Sequence, residues 1–450
     1  MPLTLGVALS ESFYTVLLRG YSRYGAGADA ILAAPERAFI LVAAASCAVY
    51  VLAVLAVSPT DRGVWLAFAP VLLTMALGGL YAAFLTASRR YAAAVMRVPA
   101  ASLLALVTIV ALLPRWSSTT AFAIGISTGH AVTLLVLVLL CRRLRRHRAD
   151  SDERIAATAL LVPAASVLLA SLVSGQPVPV VERFLAHGLA DGSVTWLVAA
   201  RGLALLPAVI AQALGNGIFP AATEHAHALG RDALARLGLL GLRLGMLTAL
   251  VSAALVVICR RELIQVALVR GDFTAADARK TAPLAAILAI SLIGMTAATI
   301  AGKALFAIGR QRIVAAVTGG GLVLYVALAV LLRELFAARG LAVAFAVSSL
   351  VAGGILAGYL VRALQLPAKR VAIEALGAPL LLAGAFAAGA LAGWLLVAVE
   401  SPGFGSAAAT LAASALAGTG ALAVAIVLAR GTEYRFARRT LGRGRMNAAV

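Results

Sequence analysis

Apolar runs of roughly eighteen residues or more recur along the whole chain, separated by short connections rich in arginine, and no other feature restricts its fold as much. Each run can cross a hydrocarbon core of about 30 Å as a helix. It must do so as a helix, because a helix satisfies its own backbone hydrogen bonds where lipid offers none. A transmembrane β-barrel would show short alternating segments, and these are absent. Of 450 residues, 62% are hydrophobic and 12% charged, whereas a soluble domain carries about 25% charged residues. The sequence therefore predicts an all-α polytopic membrane protein of about thirteen spans. Helices are expected at 2–18, 37–57, 64–88, 92–113, 118–141, 154–188, 193–225, 236–259, 280–308, 312–333, 340–364, 375–399 and 406–429. The stretch 154–188 reads as one long helix bent at Pro177 and Pro179, because the apolar part after the prolines is too short to cross.

The net charge of +20 raises the question of nucleic acid, and the placement of the charges answers it. The basic residues sit in short clusters between apolar runs without interleaved aromatics, which is topological patterning. Alternate connections hold Arg19/Arg23, Arg89/Arg90, the run Arg142–Arg148, Arg231/Arg236, Arg310/Arg312, Arg362/Lys369/Arg370 and the tail after Arg430; the intervening ones are poorer in positive charge. By the positive-inside rule the C-terminus is cytoplasmic, and an odd helix count places the N-terminus outside. Five helices precede the basic connection at 142–154, six follow it, and two more close the chain. This suggests a truncated N-lobe (1–150), a C-lobe (151–370), a C-terminal helix pair (371–430) and a basic cytoplasmic tail (431–450). Repeated six-helix lobes would predict six plus six, so one helix is expected to be missing at the start. No cleavable signal peptide is evident. Cys47, Cys141 and Cys259 are far apart and form neither a disulfide framework nor a metal site.

Ionisable groups inside spans are costly and are functional candidates by default. They are Glu11, Arg97, the neighbours Glu182 and Arg183, Arg201, Arg243 and Lys303. Arg97 and Arg243 lie about two turns from a basic end, within snorkelling reach of the interface. Glu182 with Arg183 also reads as an interfacial pair, and Glu11 as a boundary residue of a shallow helix. Arg201 is harder to explain away. It lies two to three turns into its span, and a guanidinium there suits a water-filled cavity and the oxygens of a phosphate. Lys303 offers a second cation. His225 and His227 sit in a polar loop and read as solvated rather than metal-binding. Neither a catalytic constellation nor a phosphate-cradling glycine loop stands out, so the chain reads as no enzyme and as needing no cofactor. Gly241/Gly245, Gly354/Gly358 and Gly389/Gly393 permit close helix approach and are read as packing.

Five stretches, in order, resemble the MurJ/MviN lipid II flippase family. They are Val181–Trp196 with Gly192-Ser-Val-Thr-Trp196, Ala199-Ala-Arg-Gly-Leu-Ala-Leu-Leu-Pro207, Gly215-Asn-Gly-Ile-Phe-Pro220, Val269-Arg-Gly-Asp-Phe-Thr-Ala-Ala-Asp277 and Lys303-Ala-Leu-Phe-Ala-Ile-Gly309. The likeness covers about 155–365 well and the first 150 residues more loosely, where Gly6–Phe13 looks like the start of the family's second helix. The resemblance implies a two-lobed transporter of the multidrug/oligosaccharidyl-lipid/polysaccharide exporter superfamily with two added C-terminal helices. It also implies a cationic central cavity and outward movement of lipid II by alternating access. Arg201 falls on the family's cavity arginine, with Lys303 and Arg183 as further substrate contacts. Glu182 stands where many members have an Asp linked to cation coupling, and Glu11 is a second candidate for coupling. Ala200 replaces the Asp that precedes the cavity arginine, and Gly319–Leu332 supplies no carboxylate or amide to complete a cation site.

The expected function is a flippase for an undecaprenyl-linked glycan precursor in peptidoglycan synthesis, in the bacterial cytoplasmic membrane. Its partners would be lipid II, membrane lipid and cell-wall synthesis proteins, with no nucleic acid. The alternatives are a flippase for another polyprenyl-linked polysaccharide and a transport-inactive membrane scaffold. A drug/cation antiporter would want carboxylates in its cavity, and the net cationic lining speaks against it. A glycan ligase would need an outer catalytic loop, and the longest outer connection, Arg260–Lys280, has no histidine.

Overall fold

The computed structural model describes residues 2–24, 29–57, 62–88, 90–145, 164–165, 167–168, 177–217, 230–398 and 403–428, and every regular element among them is helical. Among the described residues, eight helices are long and apolar enough to cross a membrane, or nine if a bent pair counts as one span. The protein is thus an all-α, multi-pass membrane protein. Its lipid-facing character shows in large apolar side chains left bare along the helices, such as Leu381 at 79% and Leu396 at 85% exposed.

The shortfall from thirteen spans has local causes. The helix α1 (Pro2–Tyr24) is apolar only over Leu5–Leu18, and α6 (Arg97–Leu112) is also too short to count. Most of the helix expected at 154–188 lies outside the described residues; its end is α8 (Pro177–Ala186). The segment Gln311–Ala363 runs as one 53-residue element, yet Ala337 inside it has φ 49° and ψ −132°. A straight helix of that length would extend about 80 Å, more than twice the hydrocarbon core. The break at Ala337 divides it into two span-length halves, matching the helices read at 312–333 and 340–364. The helix expected at 193–225 is instead broken, Ser193–Ala204 (α9) and Ala208–Gly217 (α10) meeting at 45°. Pro207 accounts for the break, since its ring lacks the N–H and clashes with the preceding turn.

The chain divides into two compact units. Unit 1 comprises Met1–Pro179, Asn216–Leu234 and Lys303–Leu322. In it α1 packs on α4 (Ala69–Ala87), α6 on α7 (Ser118–Arg145), and α2 (Asp29–Val57) and α7 also lie against α4. Its core includes Leu17, Phe39, Leu72, Leu80 and Phe84, and the Phe13 and Phe39 rings stack at 4.6 Å. Tyr21 donates to the buried Glu36 at 2.7 Å, so that carboxylate is hydrogen-bonded within the core.

Unit 2 comprises Val180–Gly215, Ala235–Gly302 and Val323–Val450. Here α12 (Arg260–Leu268) packs on α17 (Phe404–Leu428), and α17 pairs closely with α16 (Ala378–Val397). Gly389 and Gly393 make that pairing possible: a Cβ on either would come within 2.6 Å of a backbone oxygen, that of Ala417 or Ala413. Trp394 on α16 donates from Nε1 to the buried Glu262 of α12 at 2.9 Å, tying the C-terminal helix pair to the rest of the unit.

Candidate functional site

Among the described residues each unit shows a buried ion pair, and both pairs use residues singled out from the sequence. The part of α8 that belongs to unit 2 carries Glu182, a residue only 3% exposed. The next helix, α9, starts after Gly192 at φ +88° and presents Arg201 in its last turn. Arg201 approaches one oxygen of Glu182, Oε2, with Nε at 2.9 Å and Nη2 at 2.8 Å. The approach is one-sided. Glu182 Oε1 is buried without a hydrogen-bond partner, and Nη2 is near enough for ion pairing but lacks hydrogen-bond geometry. On its other face the guanidinium lies 4.1 Å from the centroid of Phe345, a cation–π contact.

Phe345 in turn meets Tyr325 edge-on at 6.1 Å. The Tyr325 hydroxyl is buried without a hydrogen-bond partner, within electrostatic reach of both Glu182 and Arg201. Tyr325 belongs to the stretch Gly319–Leu332, which had no carboxylate or amide to offer. Sequence reasoning missed both aromatics, because an aromatic in an apolar span gives no signal until its neighbours are known. Arg183, next to Glu182 in the chain, is exposed and does not join this cluster.

In unit 1, Lys303 is 6% exposed and forms an ion pair with Glu11 of α1. Its helix, α13 (Ala275–Ala307), ends one turn later. Arg97, placed by sequence within reach of the interface, instead directs Nη1 to Ser10 Oγ at 3.0 Å and lies within electrostatic reach of Glu11. Arg243 in unit 2 is half-buried, within electrostatic reach of Glu374. His225 and His227 fall outside the described residues. Among the described residues no group of three or more His, Cys, Asp or Glu side chains is placed to hold a metal ion.

Two of the motif stretches meet in space. Trp196 donates from Nε1 to Asp277 Oδ1 at 2.9 Å, while Asp277 Oδ2 accepts from the Thr274 backbone N–H at 2.9 Å and its hydroxyl at 2.6 Å. This is a capping box at the start of α13, with Lys280 Nζ 4.1 Å above the Trp196 ring. The glycine before α9, the tryptophan and the Thr-Ala-Ala-Asp run therefore form one structural device, which fixes the helix carrying Arg201 against α13.

Buried guanidinium and ammonium groups on spanning helices suit an anionic ligand whose oxygens take the place of a carboxylate. The sequence profile of the lipid II flippase MurJ family matches residues 38–411. The chain belongs to this family. A MurJ structure in an inward closed conformation superposes with TM-score 0.62 and 14% identity, covering 95% of this chain and 96% of that one. A MATE structure in complex with MaL6 gives TM-score 0.68 at 12% identity over 82% and 86% of the two chains. A MOP-superfamily transporter from Pyrococcus furiosus gives 0.64 at 13% over 81% and 85%. At these identities the structural likeness establishes the fold. Among curated sequences none matches. MurJ family membership makes the chain a transporter of flippase type, not a catalyst, with a role in peptidoglycan synthesis and a lipid-linked substrate.

Proposed function

We propose that this MurJ-family protein moves an undecaprenyl-linked glycan precursor, lipid II, across the bacterial cytoplasmic membrane by alternating access, with its C-terminus in the cytoplasm. The observation that carries this reading is Arg201: a guanidinium within the spanning helices, oriented by Phe345 and only one-sidedly engaged by Glu182. Nη2 lacks a well-directed acceptor, and a diphosphate oxygen is the acceptor that this group binds best. Lys303 supplies a second cation, and the exposed Arg183 gives the headgroup a first contact. Glu182 and Glu11 hold the cations in the absence of substrate and couple their release to its arrival. Cell-wall synthesis proteins are the partners that such a role brings to the membrane.

The test is rescue of a cell depleted of its own lipid II flippase, comparing this chain with its Arg201→Ala form. Rescue by the parent and its loss in the variant, at equal membrane levels, is the expected result. Retained rescue in the variant would sink the role of Arg201. No rescue by a stably inserted parent would redirect the assignment to another polyprenyl-linked glycan or to a scaffold. A diphosphate contact reads the linkage and not the sugar.

A further inference from the structure

Unit 2 buries a donor and an acceptor that both go unmet. Glu182 Oε1 and the Tyr325 hydroxyl are each buried without a hydrogen-bond partner, and the two groups lie within electrostatic reach of each other. Tyr325 is only 1% exposed, so surface water does not serve it. Buried polar groups are hydrogen-bonded with few exceptions, and an unmet one destabilises the structure that holds it. Two complementary exceptions in one cluster therefore need a physical reason.

The cluster is assembled by α8, α9 and the broken element Gln311–Ala363. Tyr325 and Phe345 lie on either side of the break at Ala337. Gly340 lets those two halves close, since a Cβ there would sit 2.1 Å from the Leu332 carbonyl oxygen. Phe345 then meets Tyr325 edge-on while its face carries the Arg201 guanidinium. Arg201 engages Oε2 of Glu182 and leaves Oε1 unmet. Glu182 thus has two donors in its neighbourhood, a guanidinium with which it pairs and a hydroxyl with which it does not. A buried carboxylate stripped of its cation is strongly destabilising. The cost falls if another donor takes over, and a phenol O–H is one that an ionised carboxylate accepts well.

We propose that Tyr325 is a positioning residue, the reserve partner of Glu182, whose hydroxyl donates to the carboxylate when Arg201 turns away from it. Its use during transport rests on the flippase reading; the exchange of partners does not, and is tested without any cargo. Thermal unfolding of the full-length protein in lipid nanodiscs is compared for the parent, Tyr325→Phe, Arg201→Met and the double variant. Methionine imitates departure of the guanidinium, because its side chain is of similar reach and offers no donor. In the parent the hydroxyl is unmet, so Tyr325→Phe leaves the melting temperature unchanged or raises it slightly. In the Arg201→Met background the same substitution removes the donor on which Glu182 then depends, and lowers the melting temperature on the order of a few degrees. Adding Glu182→Leu to all four proteins abolishes this change of sign.

A melting temperature lowered equally in both backgrounds assigns Tyr325 to packing and overturns the proposal. A loss confined to the parent overturns it too, since the hydroxyl would then already be satisfied there through a bridging water. The change of sign, in a protein that fails the rescue experiment, keeps the reserve partner and removes lipid II as the cargo. Its absence in a protein that passes rescue overturns the reserve partner and leaves the flippase reading standing. Should Arg201→Met fail to assemble, Arg201→Gln leaves a weaker, neutral donor at that position. A smaller drop of the same sign is then expected from Tyr325→Phe, and no drop overturns the proposal.

Discussion

The two units solve the same electrostatic problem to different degrees. In unit 2 one carboxylate meets one guanidinium, whose other face is covered by Phe345, so the cluster is neutral and screened by an aromatic ring. In unit 1 the Glu11 carboxylate pairs with Lys303 and also lies within electrostatic reach of Arg97, so its neighbours come from separate helices. A neutral pair can remain buried indefinitely, provided neither partner is removed. The difference is one of breadth: unit 2 holds its pair between two helices adjacent in sequence, whereas unit 1 draws Glu11, Lys303 and Arg97 from three helices far apart in the chain.

The largest expected effect is loss of rescue in Arg201→Ala, already described; an equal loss in Lys303→Ala would show that both cations are needed for transport. Next comes stability. Removing one partner of a buried pair costs about 3–5 kcal/mol, while replacing both restores most of it. Arg201→Gln alone should therefore lower the melting temperature of the purified protein clearly, and Glu182→Gln with Arg201→Gln should recover most of it without recovering transport. If the double variant is as unstable as the single one, the neutral-pair account of unit 2 is wrong. Gly79→Ala strikes unit 1 by packing alone: its Cβ must separate α1 from α4, at about 1–3 kcal/mol. Lower thermal stability is expected, and an unaltered melting temperature would show that the close approach of α1 and α4 at Gly79 is not required. The smallest effect belongs to Phe345→Leu, which loses a cation–π contact of about 1–2 kcal/mol. A modest fall in substrate affinity with little change in membrane level is expected from a dose–response of rescue.

The helical class, most spans and both cation-bearing motifs were legible in the sequence, because hydropathy and resemblance act over contiguous residues. Arg201 stood out since nothing local explains a guanidinium in the middle of an apolar run. Its partner did not, although Glu182 was itself a candidate, because pairing depends on how α8 and α9 turn about Gly192. Lys303 and Glu11 are 292 positions apart, so only helix packing could join them. Arg97 was given a snorkelling alternative from its distance to a basic end. Gly78 and Gly79 were the missed signal, two consecutive glycines inside an otherwise strong helical run. The broken span at Pro207 was legible in principle, as a proline inside a helical pattern marks a kink or an end. The motif that contains it drew attention to Arg201 instead.

The hydrogen bond from Trp394 to Glu262 sets a rule for how this architecture can be shortened. The last helix pair looks like an appendage, attached by a loop and packed through small residues. Yet it carries the indole that satisfies a carboxylate buried in α12. A gene that lost the pair would remove both the indole donor and the helix packed on α12, leaving that carboxylate without the partner it now has. Chain length and the identity of a single residue far upstream are therefore linked, so descendants lacking the final hairpin should carry an uncharged side chain there.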